Sequence, residues 1–253
     1  MRPLIELKDV TNRFGRQVVH NRINFTLYEH EAIGLVGGSG SGKTVLLRTI
    51  VGLNKPKEGC VLVDGADLYS LTVEQRLEWQ KRLGVMFQNG ALFSALTVLD
   101  NVALPLREHT QLSKKTIKDL AYIKLQMVRL QADAASKYPS ALSGGMTTRA
   151  GVARAMALDP EILFLDEPTG GLDPIAATSL DELMRDLHKV LRLTIFIITH
   201  DPSTLVTVCD RIAMIIDGKI ESGTLDELLK STNPKVQEYF KGERVQAVLA
   251  KRH

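Results

Sequence analysis

A glycine-rich segment near the N-terminus has the residue types and the spacing needed to hold a triphosphate. Residues Gly37–Thr44 fit the pattern G-x-x-x-x-G-K-[ST] of phosphate-binding loops. An apolar run at 31–36 predicts a buried strand before the loop, and 45–50 predicts the first turns of a helix after it. In this order, the helix start presents free N–H groups and a favourable dipole to the phosphates.

The individual residues of this segment suit that task. Glycines lack a Cβ atom, so the chain can curl closely around an anion. Lys43 is predicted to contact the β- and γ-phosphates, and the hydroxyl of Thr44 is predicted to ligate Mg²⁺. The alternative is a glycine turn that only caps a helix. We assign nucleotide binding to Gly37, Gly38, Ser39, Gly40, Ser41, Gly42, Lys43, Thr44 and Val45.

Two adjacent carboxylates follow a second apolar run. Residues 162–165 predict a buried strand, and Asp166 and Glu167 stand at its end. Carboxylates are rarely buried without partners, so a structural role alone is a weak explanation. We predict that Asp166 holds Mg²⁺ through its water shell and that Glu167 polarises the attacking water.

Three further side chains are candidates because of where they stand. Gln88 and His200 each follow a predicted strand, and ligands of open α/β sheets bind beyond the carboxyl ends of strands. His200 is a candidate γ-phosphate contact, with a solvated loop histidine as the alternative. Phe14 is a candidate for stacking on adenine, although its ring could instead pack on its own hairpin.

A second helix start also suits an anion. Ser143 precedes Gly144 and Gly145, and residues 150–158 show helical spacing. Ser143 can cap this helix, and the two glycines leave its first N–H groups uncovered. An ordinary helix cap is the alternative.

Composition restricts the class of protein. The chain has 253 residues, 44% of them hydrophobic and 24% charged, as in globular domains with a sizeable core. The net charge of +3 is too small to indicate nucleic acid. The only cysteines, Cys60 and Cys209, suggest neither a disulfide framework nor a zinc site. No apolar run approaches the ~20 residues of a membrane span, and no signal peptide is recognisable, so we expect a cytoplasmic chain.

The predicted elements indicate an α/β fold. Three short alternating strands before the phosphate loop predict an antiparallel β layer beside the α/β core. Strand signals vanish between about 97 and 158, which predicts an inserted helical subdomain. We expect one nucleotide-binding domain over 1–240. For the charged tail, 241–253, a solvated end is the default expectation and a helix the alternative.

With these motifs in order, nearly the whole chain resembles the ATP-binding subunit of ABC transporters. Its phosphate loop corresponds to Walker A, Leu142–Met146 to the signature, and 162–167 to Walker B with the catalytic base. Gln88 corresponds to the Q-loop glutamine, His200 to the switch histidine, Phe14 to the A-loop aromatic and Asp173 to the D-loop. The resemblance implies a P-loop NTPase core with an antiparallel β subdomain and an inserted helical subdomain.

The resemblance also implies the mechanism. ATP and Mg²⁺ would be the ligands, and two copies would associate head to tail, with ATP between Walker A of one and the signature of the other. The implied catalytic residues are Glu167, His200, Gln88 and Lys43. Nucleotide binding would extend to Phe14, Ser143, Gly144, Gly145 and Asp173, and the Mg²⁺ site to Thr44, Gln88 and Asp166.

Finer details resemble the ATPase of Mla-type phospholipid transporters, notably residues 88–93, 101–109 and the Met146 that ends the signature. That resemblance implies the cytoplasmic face of the bacterial inner membrane. It also implies a permease, a lipid-binding MCE protein and often a STAS-domain protein as partners, and no nucleic acid. We expect the segment with Leu92, Phe93 and Leu96 to contact the permease, unless it is subdomain core.

Three departures from the family pattern remove no group assigned to catalysis, although they could alter the turnover rate or the communication between two sites: Met146, Val45 and the pair at 170–171. Another cargo, such as an amino acid, a metal or a drug, is an alternative. ABC ATPases of DNA repair carry a long coiled coil and those of translation two cassettes, and neither is found here. A phosphate-loop kinase would leave Leu142–Met146 unexplained.

Overall fold

The computed structural model of the protein describes residues 2–250. These residues form two compact units. We call residues 2–78 together with 194–250 the phosphate-loop unit, and Trp79–Leu193 the signature unit. The helical subdomain predicted at about 97–158 falls within the signature unit, and the division into a single domain over 1–240 and a tail stays a prediction.

An antiparallel sheet forms one layer of the phosphate-loop unit. Four strands pair side by side in it, with the second strand of the chain at one edge and the two-residue strand Ala66–Asp67 at the other. The predicted β layer is therefore present, but the three short strands expected before the phosphate loop were wrong in detail. Two 12-residue strands stand there instead, because register shifts break their alternation without ending the pairing. The strands are β1 (Pro3–Phe14), β2 (Gln17–Tyr28), β4 (Glu58–Val63) and β5 (Ala66–Asp67).

A mixed sheet carries the phosphate loop in the same unit. Strand β3 (Ala32–Gly37) lies parallel to β8 (Thr194–Ile198) on one side and to β9 (Arg211–Ile216) on the other, and β10 (Lys219–Gly223) pairs antiparallel with β9. Both β3 and β8 are almost wholly apolar and buried, as expected for strands covered on both faces. The loop after β3 therefore starts from a rigid, central strand.

One ion pair links the two sheets of this unit. The guanidinium of Arg211 on β9 makes a bidentate pair with Glu31, with Nη2 2.7 Å from Oε1 and Nε 3.0 Å from Oε2. Glu31 is buried, and Arg211 also lies over the rings of Phe25 and Tyr28 on β2. A buried charge requires such a partner, so this pair fixes the edge at which the sheets meet.

Helices cover the sheets of the phosphate-loop unit. Those at the C-terminal end pack through Val236, Phe240 and Val245 into a cluster with Val36 of β3 and Met214 of β9. The default expectation of a solvated tail is therefore wrong for the helix that follows residue 242, while residues 251–253 lie outside the described part. The helices are α1 (Lys43–Ile50), α2 (Val73–Lys81, ending inside the signature unit), α7 (Pro202–Val208), α8 (Leu225–Leu229), α9 (Pro234–Lys241) and α10 (Glu243–Leu249).

The signature unit combines two parallel strands with four helices. The strands Leu83–Met86 and Ile162–Asp166 pair in parallel, with Gly84 opposite Leu163. Its elements are β6 (Leu83–Met86), α3 (Val98–His109), α4 (Lys114–Met127), α5 (Gly144–Ala155), β7 (Ile162–Asp166) and α6 (Pro174–Leu191). Within residues 2–250, no helix combines the length and the apolar character that a membrane span requires.

Candidate functional site

The phosphate loop joins β3 to α1 through backbone conformations that glycine adopts easily. Gly40 and Gly42 have positive φ values of 74° and 95°, and the N–H of Ser41 donates to the carbonyl of Gly38 at 3.1 Å. A Cβ atom on Gly38 or Gly40 would meet nothing within 4 Å, so the outer side of the loop is open. This open side is where the N–H groups at the start of α1 can receive an anion.

Lys43 folds back over this loop. Its Nζ donates to the carbonyl of Gly37 at 2.9 Å and to that of Gly38 at 3.2 Å, and the residue is only 8% exposed. The ammonium group is thus held at the open side of the loop. Its donor chemistry and position fit a phosphate ligand, and the phosphate contact itself stays a prediction.

The inner side of the loop rests on side chains that sequence reasoning missed. A Cβ atom on Gly42 would lie 2.5 Å from Nε2 of His20 and 2.4 Å from Cγ1 of Val19. Burial lowers the pKa of His20 from 6.5 to about 4, although the neighbouring backbone of Gly42 and Ser41 opposes this shift. His20 stands among other polar residues of β2, such as Asn21 and Arg22, so no sequence pattern marks it as the buried one.

The predicted carboxylates lie at the end of β7. Every residue of this strand is buried, and Asp166 is 6% exposed. Glu167 has a φ of 51°, a left-handed conformation that costs energy for any residue except glycine. Its carbonyl accepts the N–H of Gly170 at 3.1 Å, which closes the turn. The chain therefore turns away from the strand direction at Glu167, and both carboxylates lie at the end of β7.

Gln88 opens a tight turn at the end of β6. Asn89, Gly90 and Ala91 all have positive φ, and a Cβ atom on Gly90 would collide with the backbone of Thr147 on α5. Arg154, also on α5, donates to the carbonyls of Gly90 and Ala91, each at 2.9 Å. The Gln88 turn and α5 are therefore tied together by backbone packing and two hydrogen bonds, a link that the sequence did not reveal.

The helix of the signature segment begins at its predicted cap, and it includes residues before the 150–158 stretch whose spacing is visibly helical. The hydroxyl of Ser143 accepts the N–H of Met146 at 3.3 Å, and α5 starts at Gly144. A Cβ atom on Gly144 would lie 3.2 Å from the side chain of Leu172, so the absence of a side chain permits this packing.

Asp173 belongs to the same neighbourhood. Its carboxylate caps α6 by accepting the N–H groups of Ile175 and Ala176, each at 3.0 Å. Ser143, Gly145 and Asp173 line one cleft of ≈ 620 Å³ within the signature unit. The structure thus brings these three predicted nucleotide contacts together in one cleft. The Asp173 carboxylate is already engaged there as the N-cap of α6.

The remaining candidates differ in exposure. Phe14, at the end of β1, is 55% exposed, so its ring does not pack fully on its own hairpin. His200 is exposed just after β8.

Phe93 is 54% exposed, with the Arg154 guanidinium 5.6 Å from its ring centre, so it is not subdomain core. Buried Asn101, which was not predicted, holds the segment by bonding Phe93 N–H at 2.8 Å.

The candidate metal ligands have the right chemistry for Mg²⁺. Residues 2–250 contain no cluster of three or more His, Cys, Asp or Glu side chains suited to a metal. Mg²⁺ usually takes one or two protein oxygens and completes its shell with phosphates and water. The hydroxyl of Thr44 and the carboxylate of Asp166 are each oxygen ligands of the kind that such an ion takes, and the metal site stays a prediction.

Comparison with known proteins decides the family. Residues 20–170 match the family model described as ABC transporter. The chain belongs to the ABC transporter ATP-binding family. It is accordingly an ATPase with the α/β fold that its sequence predicted. A dimeric post-hydrolysis structure of the ATP-binding cassette MJ0796 bound to ADP and Pi matches with a TM-score of 0.80 and 30% identity, covering 88% of this chain and 99% of that one.

Two relatives bear on the kind of transporter. The intermembrane phospholipid transport system ATP-binding protein MlaF of Haemophilus influenzae is 40% identical, covering 95% of this chain and 91% of that protein. The probable ribonucleotide transport ATP-binding protein mkl of Mycobacterium leprae is 38% identical, covering 95% of this chain and 70% of that protein. This ABC ATPase is thus similar over nearly its full length to proteins named for different cargoes.

Proposed function

We propose that this ABC ATPase powers an Mla-type transporter that moves phospholipid between the inner and outer membranes of a bacterium. The observation that carries this proposal is its 40% identity, over 95% of the chain, to a protein named for intermembrane phospholipid transport. Residues 88–93 and 101–109 and the signature ending in Met146 favour the same subgroup. The chain would act at the cytoplasmic face of the inner membrane, held there by its permease.

The two anion-suited helix starts support a head-to-tail dimer. The phosphate loop precedes α1 and the Ser143 cap precedes α5, so one chain offers two different sets of N–H groups. A symmetric pair would give each ATP one set from each copy. We propose that ATP joins the copies, with Gly37–Val45 and Phe14 from one, and Ser143, Gly144, Gly145 and Asp173 from the other.

Hydrolysis would depend on a few side chains. Glu167 is the proposed general base, since the turn at its positive φ holds it at the end of β7. Gln88 and His200 would orient the water and the γ-phosphate, and Lys43 would bind the β- and γ-phosphates. Thr44, Gln88 and Asp166 would hold Mg²⁺, which when bound neutralises phosphate charge. Separation of the copies after hydrolysis would drive the permease.

The partners follow from the same proposal. They are a multi-span permease, an MCE protein and often a STAS-domain protein, with no role for nucleic acid. Phe93 and its neighbours offer an exposed apolar contact for the permease, braced by Arg154 and Asn101.

A different cargo is the second candidate, because the mkl relative is named for probable ribonucleotide transport. The test is to purify the chain with the membrane proteins that it assembles with and to analyse the bound compounds by mass spectrometry. Phospholipid that is retained by the complex, and transferred on ATP addition, would support the proposal. Bound nucleotides, amino acids or metal without phospholipid would refute it.

A further inference from the structure

A buried polar network lies directly beneath the phosphate loop. Asn12 on β1 and His20 on β2 are cross-strand partners, and Thr49 stands on α1, the helix that the loop opens. His20 and Thr49 are completely buried and Asn12 is 3% exposed. Polar groups at such depth are costly unless hydrogen bonds satisfy them, so their pairing is informative.

The hydrogen bonds fix the direction of every donor in this network. The Thr49 hydroxyl lies 2.9 Å from the carbonyl of Val45, which can only accept, so the hydroxyl donates there. Its oxygen must therefore accept from Asn12, whose Nδ2 lies 3.1 Å away. The same Nδ2 lies 3.0 Å from Nδ1 of His20, so its second hydrogen makes Nδ1 an acceptor. In the neutral ring, the proton then resides on Nε2.

This Nε2–H group faces the phosphate loop. Gly42 is so close that a Cβ atom there would lie 2.5 Å from Nε2 and 3.1 Å from Cε1 of the ring. Among the described residues, Nε2 has no hydrogen-bond partner of good geometry, and neither has the buried hydroxyl of Ser41 in the loop itself. The backbone of Ser41 and Gly42 is near enough to raise the pKa of the ring, but it is not placed for a full hydrogen bond. An unpaired buried donor is unfavourable, so a small loop movement that completes this contact would be stabilised.

We propose that His20 is a positioning residue for the phosphate loop, and that its Nε2–H holds the backbone of Ser41 and Gly42 in the conformation that receives ATP. The inference rests on the proposed binding of ATP at this loop. A backbone N–H binds phosphate only when the N–H bond points at the phosphate oxygen. The φ of 95° at Gly42 sets this orientation for the first N–H groups of α1. Asn12 and Thr49 would act through His20 by keeping its proton on Nε2.

Three substitutions of His20 separate the donor from the space that the ring fills. His20→Gln places an amide N–H near the Nε2 position, whereas His20→Asn keeps a polar group only near Nδ1 and His20→Leu removes both. ATP affinity would be measured by displacement of a fluorescent ATP analogue from the full chain. We expect the dissociation constant to rise about fivefold to tenfold for Leu and Asn, as for the loss of one hydrogen bond. His20→Gln should stay within about twofold of the wild type.

A matched core variant controls for lost stability. Ile23→Val trims a buried side chain on the same strand and should lower the unfolding temperature while leaving the ATP dissociation constant unchanged. Equal ATP affinity of the Gln and Asn variants would overturn the proposal, even if the Leu variant does not fold. A wild-type chain that binds no ATP would refute the proposed function. That outcome is distinguishable from one in which the Gln and Asn variants bind ATP with equal, measurable dissociation constants, which would refute only the role of His20.

Discussion

The Nζ atom of Lys43 lies 2.9 Å from the carbonyl oxygen of Gly37, at the opposite end of the phosphate loop. The ammonium group thus closes the loop on itself and stands where phosphate would meet it. We expect Lys43→Ala to weaken ATP binding by about 10- to 100-fold, the value of a charged hydrogen bond. Isothermal titration with ATP measures this change. Lys55→Ala, on an exposed turn of the same unit, is the control, and a Lys43→Ala chain that binds as tightly would contradict the assignment.

Glu167 offers a sharper test of the chemical step. Because an amide cannot take the proton of the attacking water, Glu167→Gln should lower kcat by about 10²- to 10⁴-fold and leave ATP binding intact. ATP turnover and ATP affinity would be measured on the same preparation. Glu182→Gln on α6, an exposed change of the same type, should turn over normally. Near-normal hydrolysis by Glu167→Gln would exclude the role as general base.

Ser143 tests the head-to-tail pair. Its hydroxyl caps α5 at the cleft that Gly145 and Asp173 also line. We expect Ser143→Arg to fill this surface, so the chain should bind ATP as a monomer yet fail to dimerise with ATP in a Glu167→Gln background. Light scattering with and without ATP gives the readout.

Ser140→Arg, three residues earlier and exposed, introduces the same side chain outside the cap and should dimerise normally. Persistent ATP-dependent dimers of Ser143→Arg would count against the sandwich arrangement.

Phe93 tests the permease contact. A carboxylate in place of its exposed ring should repel an apolar partner, so Phe93→Glu should abolish co-purification with the permease while ATP binding persists. Leu112→Glu, a comparable change at an exposed apolar residue between α3 and α4, is the control. Intact assembly and transport by Phe93→Glu would reject this contact.

The local elements around the candidate residues were easier to predict from the sequence than the long-range contacts that support them. The phosphate loop, the Asp166–Glu167 pair and the Ser143 cap are local patterns, in which each residue type has a direct physical reason. The cap at Ser143 is confirmed, although helical spacing is visible in the sequence only from residue 150. Gly144 and Gly145 have poor helix propensity, whereas the cap and packing against Leu172 favour the helix there.

Long-range polar pairing is harder to predict. Arg154 reaches carbonyls more than 60 positions away in sequence, and Asn12 reaches Thr49 across 37 positions. No periodic pattern indicates such partners, since only the folded chain sets their distance. The tail was misjudged for the same reason, because nothing in its sequence shows that Val245 packs on the cluster around Phe240.

The buried ring of His20 predicts a loss of stability in acid. Its pKa falls from 6.5 to about 4 on folding, because burial disfavours the imidazolium. Between these values the unfolded chain binds more protons than the native one, so this contribution is complete above pH 6.5 and is lost as the pH falls towards 4. The full change is worth about 3 kcal/mol, and about 2 kcal/mol of it should appear between pH values of about 7 and 5. Urea unfolding at both pH values, for the wild type and for His20→Gln, isolates the histidine, since other groups contribute equally to both. Parallel pH dependence of the two chains would show that this ring does not titrate on unfolding.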